Sequence, residues 1–266
     1  MTQVGGTGVD APGGLLAGRR LLATGVLTEA SLASAVVRLA VQQGAEVLLT
    51  SPVCRGHRVT SRLAPRLGVT GKVLELDVTL PGDLDALAGA IRGAGWDRVD
   101  GVLHALAYLP ARPGDFASTP WAAVGETFQT AAWSLAAVVA AVRPLLVPGS
   151  SVVGLELDPG RAERGQDWLG VARAALEASA RYLARDLGPH GVRVNLVAAG
   201  PQRTLLSRAL PGHDALIEDW GRRAPLGWDA RDRTAVARAA VALLSDWFPA
   251  TTGEVVHVDG GAHAVG

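Results

Sequence analysis

"RLLATGVLTEASLASAVVRLA", Arg20 to Ala40, decides how the rest of the chain is read. A short apolar run, Arg20–Gly25, ends in a glycine, and an apolar pattern at helical spacing begins near Ser31. Short apolar runs that alternate with longer helical patterns point to βαβ units and a parallel sheet. Working outward, further strands are expected at Ala45–Ser51, Gly71–Val78, Val99–Ala107, Ser150–Leu157, Val192–Gly200 and Gly253–Gly261. Their interiors are apolar without clean alternation, as for strands covered by helices on both faces. Helical segments are expected near Ser31–Gln43, Gly82–Ile91, Trp121–Leu146, Trp168–Leu187 and Thr234–Asp246.

The chain has 266 residues, 48% of them hydrophobic, and no long polar tract, which suits one globular domain with a sizeable core. Its 25 basic and 25 acidic side chains balance, and no Lys/Arg run interrupts them. Nucleic acid and membrane surfaces are therefore excluded as partners, since both need clustered positive charge. The longest apolar stretch, Ala131–Val142, is too short to span a bilayer and reads as a buried helix. Residues 1–14 lack a basic n-region and an apolar h-region, so they read as a flexible leader. The single Cys54 forms no internal disulfide and no Cys/His cluster has zinc spacing, which fits a reducing cytoplasm and no metal site. The expectation is an α/β chain: a single Rossmann-type domain over residues 15–266, with a seven-stranded, mostly parallel, doubly wound sheet. Such sheets bind ligands at the carboxyl ends of their strands.

The turn after the first strand is the expected phosphate site, because free N–H groups and the helix dipole at Ser31 suit a pyrophosphate. The G-x-G-x-x-G fingerprint is reduced to Gly25, so the loop alone reads equally well as an ordinary βα turn. Asp77, at the end of "LELDV", is placed either to accept from an adenine amino group or to cap the next helix.

Taken together, "LLAGRRLLATGVLTEASLA", "LELDV", "DGVLHALAYLP", "LDPGRA", "GVRVNLVAAGPQRTL", "RAPLGW" and "LLSDWFPATTGEVVHVDGGAH" resemble the enoyl-acyl-carrier-protein reductases of the short-chain dehydrogenase/reductase superfamily. The likeness is strongest to the NADH-dependent branch that elongates mycolic-type fatty acids, and it runs from about Gly14 to His263. It implies that Gly25, Ser31 and Leu32 hold the pyrophosphate, that Asp77 and Val78 line the adenine pocket, and that Ala107 stands beside the ribose. It further implies that Gly200, Pro201 and Gln202 face the nicotinamide, with Thr204 near the phosphates; Gln202 replaces an aliphatic residue. Pro52 stands where the branch has an aromatic stacking partner, and Arg55 and Arg58 suit a further phosphate. The cofactor is thus NAD or NADP, with NADH favoured by the resemblance. The likeness also implies a homotetramer or homodimer built on the long helices.

The reaction centre departs from the pattern. The family places a tyrosine seven residues before a lysine on one helical face, and an aromatic residue nine before the tyrosine. Those positions here are Gln166, Arg173 and Leu157. Arg173 can still donate to ribose hydroxyls, although its planar fork is not an ammonium. Gln166 can donate a hydrogen bond to an oxygen but gives up no proton at neutral pH. Carbonyl reduction, which needs that proton, should suffer by roughly 10²–10⁴ in rate; reduction of an activated C=C or C=N bond is less demanding. Tyr108 reads as a relocated acid or as an aromatic wall, and Glu156 as a second titratable candidate or a salt-bridged structural residue. His104 reads as a hydrogen-bonded core residue, Trp168 and Trp247 as core or interface, and Tyr182 as packing; His257 and His263 carry no assigned chemistry. The segment "LSRALPGHDALIEDWGR", Leu206–Arg222, reads as a shortened lid over the pocket.

The leading reading is an enoyl-reductase-like NAD(P)-dependent oxidoreductase acting on a small or carrier-bound substrate in specialised metabolism. Gln166, Arg173 and Tyr108 would shape its reaction centre. The alternatives are a non-redox cyclase or isomerase reusing the pocket, and a catalytically silent homologue.

Overall fold

Seven strands form one sheet in the order β3-β2-β1-β4-β5-β6-β7, and every pair is parallel. The mostly parallel sheet expected from the sequence is therefore wholly parallel. The strands are β1 Arg20–Ala23, β2 Glu46–Ser51, β3 Leu74–Glu75, β4 Val99–His104, β5 Leu146–Glu156, β6 Arg193–Ala199 and β7 Val255–Val258. The computed structural model describes residues 13–52, 57–106, 116–163, 165–204, 207 and 212–265. The leader up to residue 12, Cys54, Arg55, Ala107 and Tyr108 lie outside the described residues.

The edge strand β3 is much shorter than its apolar pattern suggests, because only Leu74 and Glu75 find partners on β2. In contrast, β5 begins earlier than expected, at Leu146, with a register shift where it meets β4 between Val99 and Gly101.

Helices cover both faces. On one side α1 (Leu32–Gln42) and α8 (Thr234–Leu244) pack together over β1, β2 and β6 through Val36, Val37, Ala40, Val236 and Ala240. On the other, α3 (Pro81–Gly93), α5 (Ser134–Val142) and α6 (Asp167–Leu187) bury Leu87, Ile91, Leu135, Val138 and Leu176 against β4, β5 and β6. Two further helices were not anticipated: α2 (His57–Leu63) and α7 (His213–Arg223), the latter inside the expected lid.

The single helix expected at Trp121–Leu146 is α4 (Trp121–Phe128) joined to α5 through a π turn at Gln129–Trp133. The π turn brings Ala131 onto Leu169 and Ala172 of α6, and π turns recur at functional sites. The helical run reaches Leu145 and is long and apolar enough to cross a membrane. Half of its most apolar window is buried against the sheet and α6, as in a core helix.

Tyr182 departs from its sequence reading, and of the two alternatives for Trp247 exposure removes the core one. Tyr182 is 61% exposed, with the Arg185 guanidinium 4.9 Å from its ring centre. It lies on the outer face of α6, where packing against the sheet cannot reach it. Trp247 is 59% exposed beyond the end of α8 and so is not a core residue. Trp168 is half-buried, stacked on Phe116 and donating to its carbonyl at 2.9 Å.

His104 is a core residue, fully buried, with Nε2 2.8 Å from Ser134 Oγ and Nδ1 without a partner among the described residues. Burial pulls its pKa from 6.5 down to about 4. The unfolded imidazole therefore takes up a proton in mild acid that the folded one refuses. Stability present above pH 6.5 should be lost as pH falls towards 4, at about 1.4 kcal/mol per unit. Urea midpoints across this range should flatten in His104→Gln.

Candidate active site

The carboxyl ends of β1, β4, β5 and β6 open into a cavity of about 440 Å³, closed on its far side by α6 and α7. A smaller cavity at the opposite rim, beside Glu46 and Trp96, carries no constellation of reactive groups among the described residues.

The floor of the larger cavity is shaped by backbone. Gly25 has φ +76°, and a Cβ there would stand 2.0 Å from the Ala105 carbonyl oxygen, so β4 can pass only a glycine. Gly200 lies under two indoles: a Cβ would meet the Trp228 ring at 2.6 Å and Trp220 Nε1 at 3.0 Å. Those rings are fixed by their own N–H groups, Trp228 to the Pro201 carbonyl at 2.8 Å and Trp220 to the Asp259 carbonyl at 2.9 Å.

After Gly25 the chain turns into α1. Ser31 caps that helix, accepting from Ser34 N at 3.1 Å, and Ser34 Oγ donates to Thr28 O at 2.6 Å. The amides of Leu32 and Ala33 have no protein acceptor among the described residues and stand at the helix's positive end, in the cavity wall. Across from them, Thr204 and Ser207 cap each other's amides. Ser31→Ala should cost about 1 kcal/mol of stability and weaken nucleotide binding, measurable by denaturant titration and calorimetry.

The reactive wall comes from the end of β5 and the start of α6. Gln166 lies at the N-terminus of α6, buried, between Gly165 (φ +71°) and Asp167 (φ +37°), an uncommon backbone for a residue with a side chain. Arg173, two turns along, donates through Nη1 to Gln166 Oε1. Guanidinium has no acceptor, so this bond fixes the amide orientation. Oε1 faces Arg173, and Nε2, which makes no hydrogen bond among the described residues, remains a donor. Burial lowers the Arg173 pKa to about 10, with Glu156 opposing, so the cation persists at neutral pH.

Glu156 ends β5, is 7% exposed, and neither carboxyl oxygen has a hydrogen-bond partner among the described residues. It is thus not the salt-bridged residue that one sequence reading allowed. Burial, then the charge of Glu177, pushes its pKa up to about 9 against the pull of Arg173. Behind it, across β6 at Ala198, stands His257. His257 stacks on His263 at 3.8 Å, and the two imidazoles face Asp158 at 3.5 Å and Asp259 at 3.0 Å. His257, Asp259 and His263 belong to one C-terminal segment, and Asp158, from the end of β5, joins them only through the fold.

The cavity wall therefore gathers Gly25, Ser31, Leu32, Glu156, Leu157 and Gln166 with Arg173, Gly200, Pro201, Gln202 and Thr204. Leu157 serves as apolar wall against Leu216 and Trp220. Asp77 and Val78 are not in this cavity. Val78 is buried in the core, and Asp77 Oδ1 accepts from Thr79 N at 2.9 Å and Thr79 Oγ1 at 2.6 Å, a turn role close to the capping alternative.

His213, missed in the sequence, opens α7 and lines the cavity, its Nε2 3.1 Å from the Gln202 carbonyl oxygen. Burial lowers its pKa. The only available signal was "PGHDAL", a glycine before a helix start inside a segment read as loop. Through His213 and Ser207 the cavity adjoins a cleft walled by Arg203, Arg231 and Arg233, of which Arg203 pairs with Asp214 at 2.6 Å.

A dinucleotide fits this frame. The glycine floor leaves room for its backbone approach, the unpaired amides at α1 suit its phosphates, and the apolar remainder suits a flat ring. The family model described as enoyl-(acyl carrier protein) reductase matches residues 25–263. The chain is 41% identical to an enoyl-[acyl-carrier-protein] reductase [NADH] of Mycolicibacterium smegmatis, covering 94% of this chain and 97% of that protein. It is 39% identical to the protein of the same description from Mycobacterium avium, again covering 94% and 97%. With the Escherichia coli enoyl-[acyl-carrier-protein] reductase [NADH] FabI the identity is 32%, over 93% of this chain and 95% of the relative.

Proposed function

This chain belongs to the enoyl-(acyl carrier protein) reductase family, and from that premise we propose that it is an NADH-using reductase of activated C=C bonds in carrier-bound enoyl thioesters. The observation that carries the reading is the Arg173–Gln166 bond in the cavity wall, which leaves an amide N–H facing the place where substrate would lie.

When bound, the nicotinamide supplies a hydride; the rest is done by the chain. Ser31 and the α1 amides would hold the pyrophosphate, with Thr204 opposite, and Asp77 and Val78 would mark the adenine end. Arg173 would reach the ribose as well as Gln166, which its fork of donors permits. Hydride addition to an enoyl thioester places negative charge on the thioester oxygen, and Gln166 Nε2 donates to it. An oriented donor of this kind is worth about 10²–10³ in rate. Leu157, Leu216 and the Trp220 and Trp228 indoles exclude water from the acyl group. The guanidinium groups of the adjoining cleft suit the phosphate of a pantetheine arm.

Trp121, Trp133 and Tyr182, all exposed on α4 to α6, would be covered by a second copy in a homodimer or homotetramer. Light scattering on the purified protein tests this.

The functional test is stopped-flow oxidation of NADH and NADPH against a panel of enoyl thioesters, ketones and cyclic imines. Stoichiometric consumption with enoyl thioesters and none with ketones is expected. Product formation without nucleotide oxidation, or no turnover of any substrate, would overturn the reading.

A further inference from the structure

We propose that the ion pair of Glu163 with Arg223 is a positioning pair for Gln166: it moors the segment that carries the amide to α7 and so aims the Gln166 N–H into the cavity. The proposal rests on the reductase reading above and adds to it two residues outside the cavity wall.

The chain enters α6 through a strained backbone. Gln166 stands between Gly165 (φ +71°) and Asp167 (φ +37°), and its side chain does not cap the helix. A conformation of this kind persists only where its surroundings over-determine it. Three contacts do so here. The Gln166 backbone N–H donates to the Glu163 carbonyl at 3.2 Å, which closes the turn. Arg173 holds Gln166 Oε1 from two turns along. The carboxylate of the same Glu163 accepts from Arg223 Nη2 at 3.1 Å.

The first two contacts lie within this segment and α6, so they fix the amide relative to its own helix. The third fixes it relative to α7, which supplies His213 and Leu216 to the cavity wall. Arg223 is itself held in place. Its Nε donates to Asp219 at 2.8 Å, and its guanidinium carbon lies 5.0 Å from the Trp220 ring centre. Trp220 in turn donates to the Asp259 carbonyl at 2.9 Å.

Burial separates this pair from a surface bridge. The Arg223 and Glu163 side chains are 19% and 15% exposed, and no other arginine–carboxylate pair among the described residues has both below one-fifth. Exposed pairs constrain little, whereas removing one partner of a shielded pair leaves the other charge uncompensated and opens the contact. Neither residue lines the cavity, so the pair touches no substrate and acts through Gln166.

The test compares wild type with Glu163→Gln, Arg223→Gln, Arg223→Lys and the double variant of Glu163→Gln with Arg223→Gln. Circular dichroism checks the fold of each and calorimetry its NADH affinity. Glu163→Gln and Arg223→Gln should each lower kcat for enoyl thioesters by about 10- to 100-fold. KM and NADH affinity should hold, because a misaimed amide fails the oxyanion and not the ground state. Arg223→Lys, which keeps the charge, should recover part of the rate, and the double variant should be no slower than either single one. In a Gln166→Glu background, where there is no N–H to aim, the same substitutions should leave kcat unchanged. In amide NMR spectra of the nucleotide-free protein, the Gln166 side-chain signal, identified by its loss in Gln166→Glu, should be sharp in wild type and broadened in Glu163→Gln. Unchanged kcat in the single variants, a loss carried by KM instead, or an equal fall in the Gln166→Glu background would overturn this proposal alone. If Arg223→Gln does not fold, Glu163→Gln and Arg223→Lys carry the same decision. If wild type reduces no enoyl thioester, the functional reading fails, and the Gln166 signal still decides the pair: an equally sharp signal in Glu163→Gln overturns it.

Discussion

Gln166→Glu lowers kcat for enoyl-thioester reduction by about 10²–10³, while NADH affinity and KM hold. This outcome is expected because the substitution keeps the oxygen that Arg173 meets and changes only what the side chain offers the cavity. Glutamate keeps an oxygen where Arg173 donates, so the bond survives and gains charge. It loses the N–H that Gln166 turns into the cavity. Substrate in its ground state has little charge on the thioester oxygen, and the developing oxyanion has much. A donor that acts mainly on the oxyanion therefore shows in kcat and not in KM. The ionised glutamate also brings a negative charge to that spot, which adds to the loss. Rapid-mix kinetics with NADH titrations on the same samples give both numbers. Equal kcat in the variant would remove Gln166 from the chemistry; a collapse of NADH binding would make its role structural.

Much of this arrangement was legible in the chain. The glycine at 25, the capping serine at 31 and the Ala199–Thr204 turn each come after an apolar strand, and short-range rules govern the turn beyond a strand end. Gln166 and Arg173 stand seven residues apart on one helix, so helical geometry alone places them on one face. Their mutual bond was not legible, because which of two donors and acceptors meet depends on the strained entry at Gly165–Asp167. Nor was the isolation of Glu156. A carboxylate at a strand end is ordinarily solvated or paired, and only the packing of α6 over β5 separates it from both. His213 meets the Gln202 carbonyl and His257 meets Asp158 across separate segments of the chain, which no local pattern encodes. Tyr182 shows the opposite failure: an aromatic in an amphipathic helix reads as buried, yet its position faces away from the sheet.

Glu156→Gln is expected to be more stable than wild type at pH 7 to 8, and to lose that advantage in acid. The ordinary glutamate pKa of 4.5 rises to about 9 in the folded chain. Between those values the unfolded chain carries an ionised carboxylate and the folded chain a neutral acid, so folding takes up a proton. Stability is full below about pH 4.5 and falls as pH rises towards 9, by about 1.4 kcal/mol per unit. At pH 7 the accumulated cost is on the order of 3 kcal/mol, a large share of what a domain has. Glutamine carries no such penalty, although its buried amide, unpartnered like the acid it replaces, costs about 1–3 kcal/mol. The decisive quantity is thus the slope. The stability difference between variant and wild type should grow by about 1.4 kcal/mol per pH unit between about 5 and 8.5, read from urea midpoints at constant ionic strength. A pH-independent difference would mean that Glu156 is ionised in the folded chain and pairs with Arg173 after all. The expected slope identifies a side chain that weakens the fold throughout neutral pH. Side chains of that kind persist where function needs a strained or destabilised site, and this one lines the cavity wall beside the Gln166–Arg173 pair.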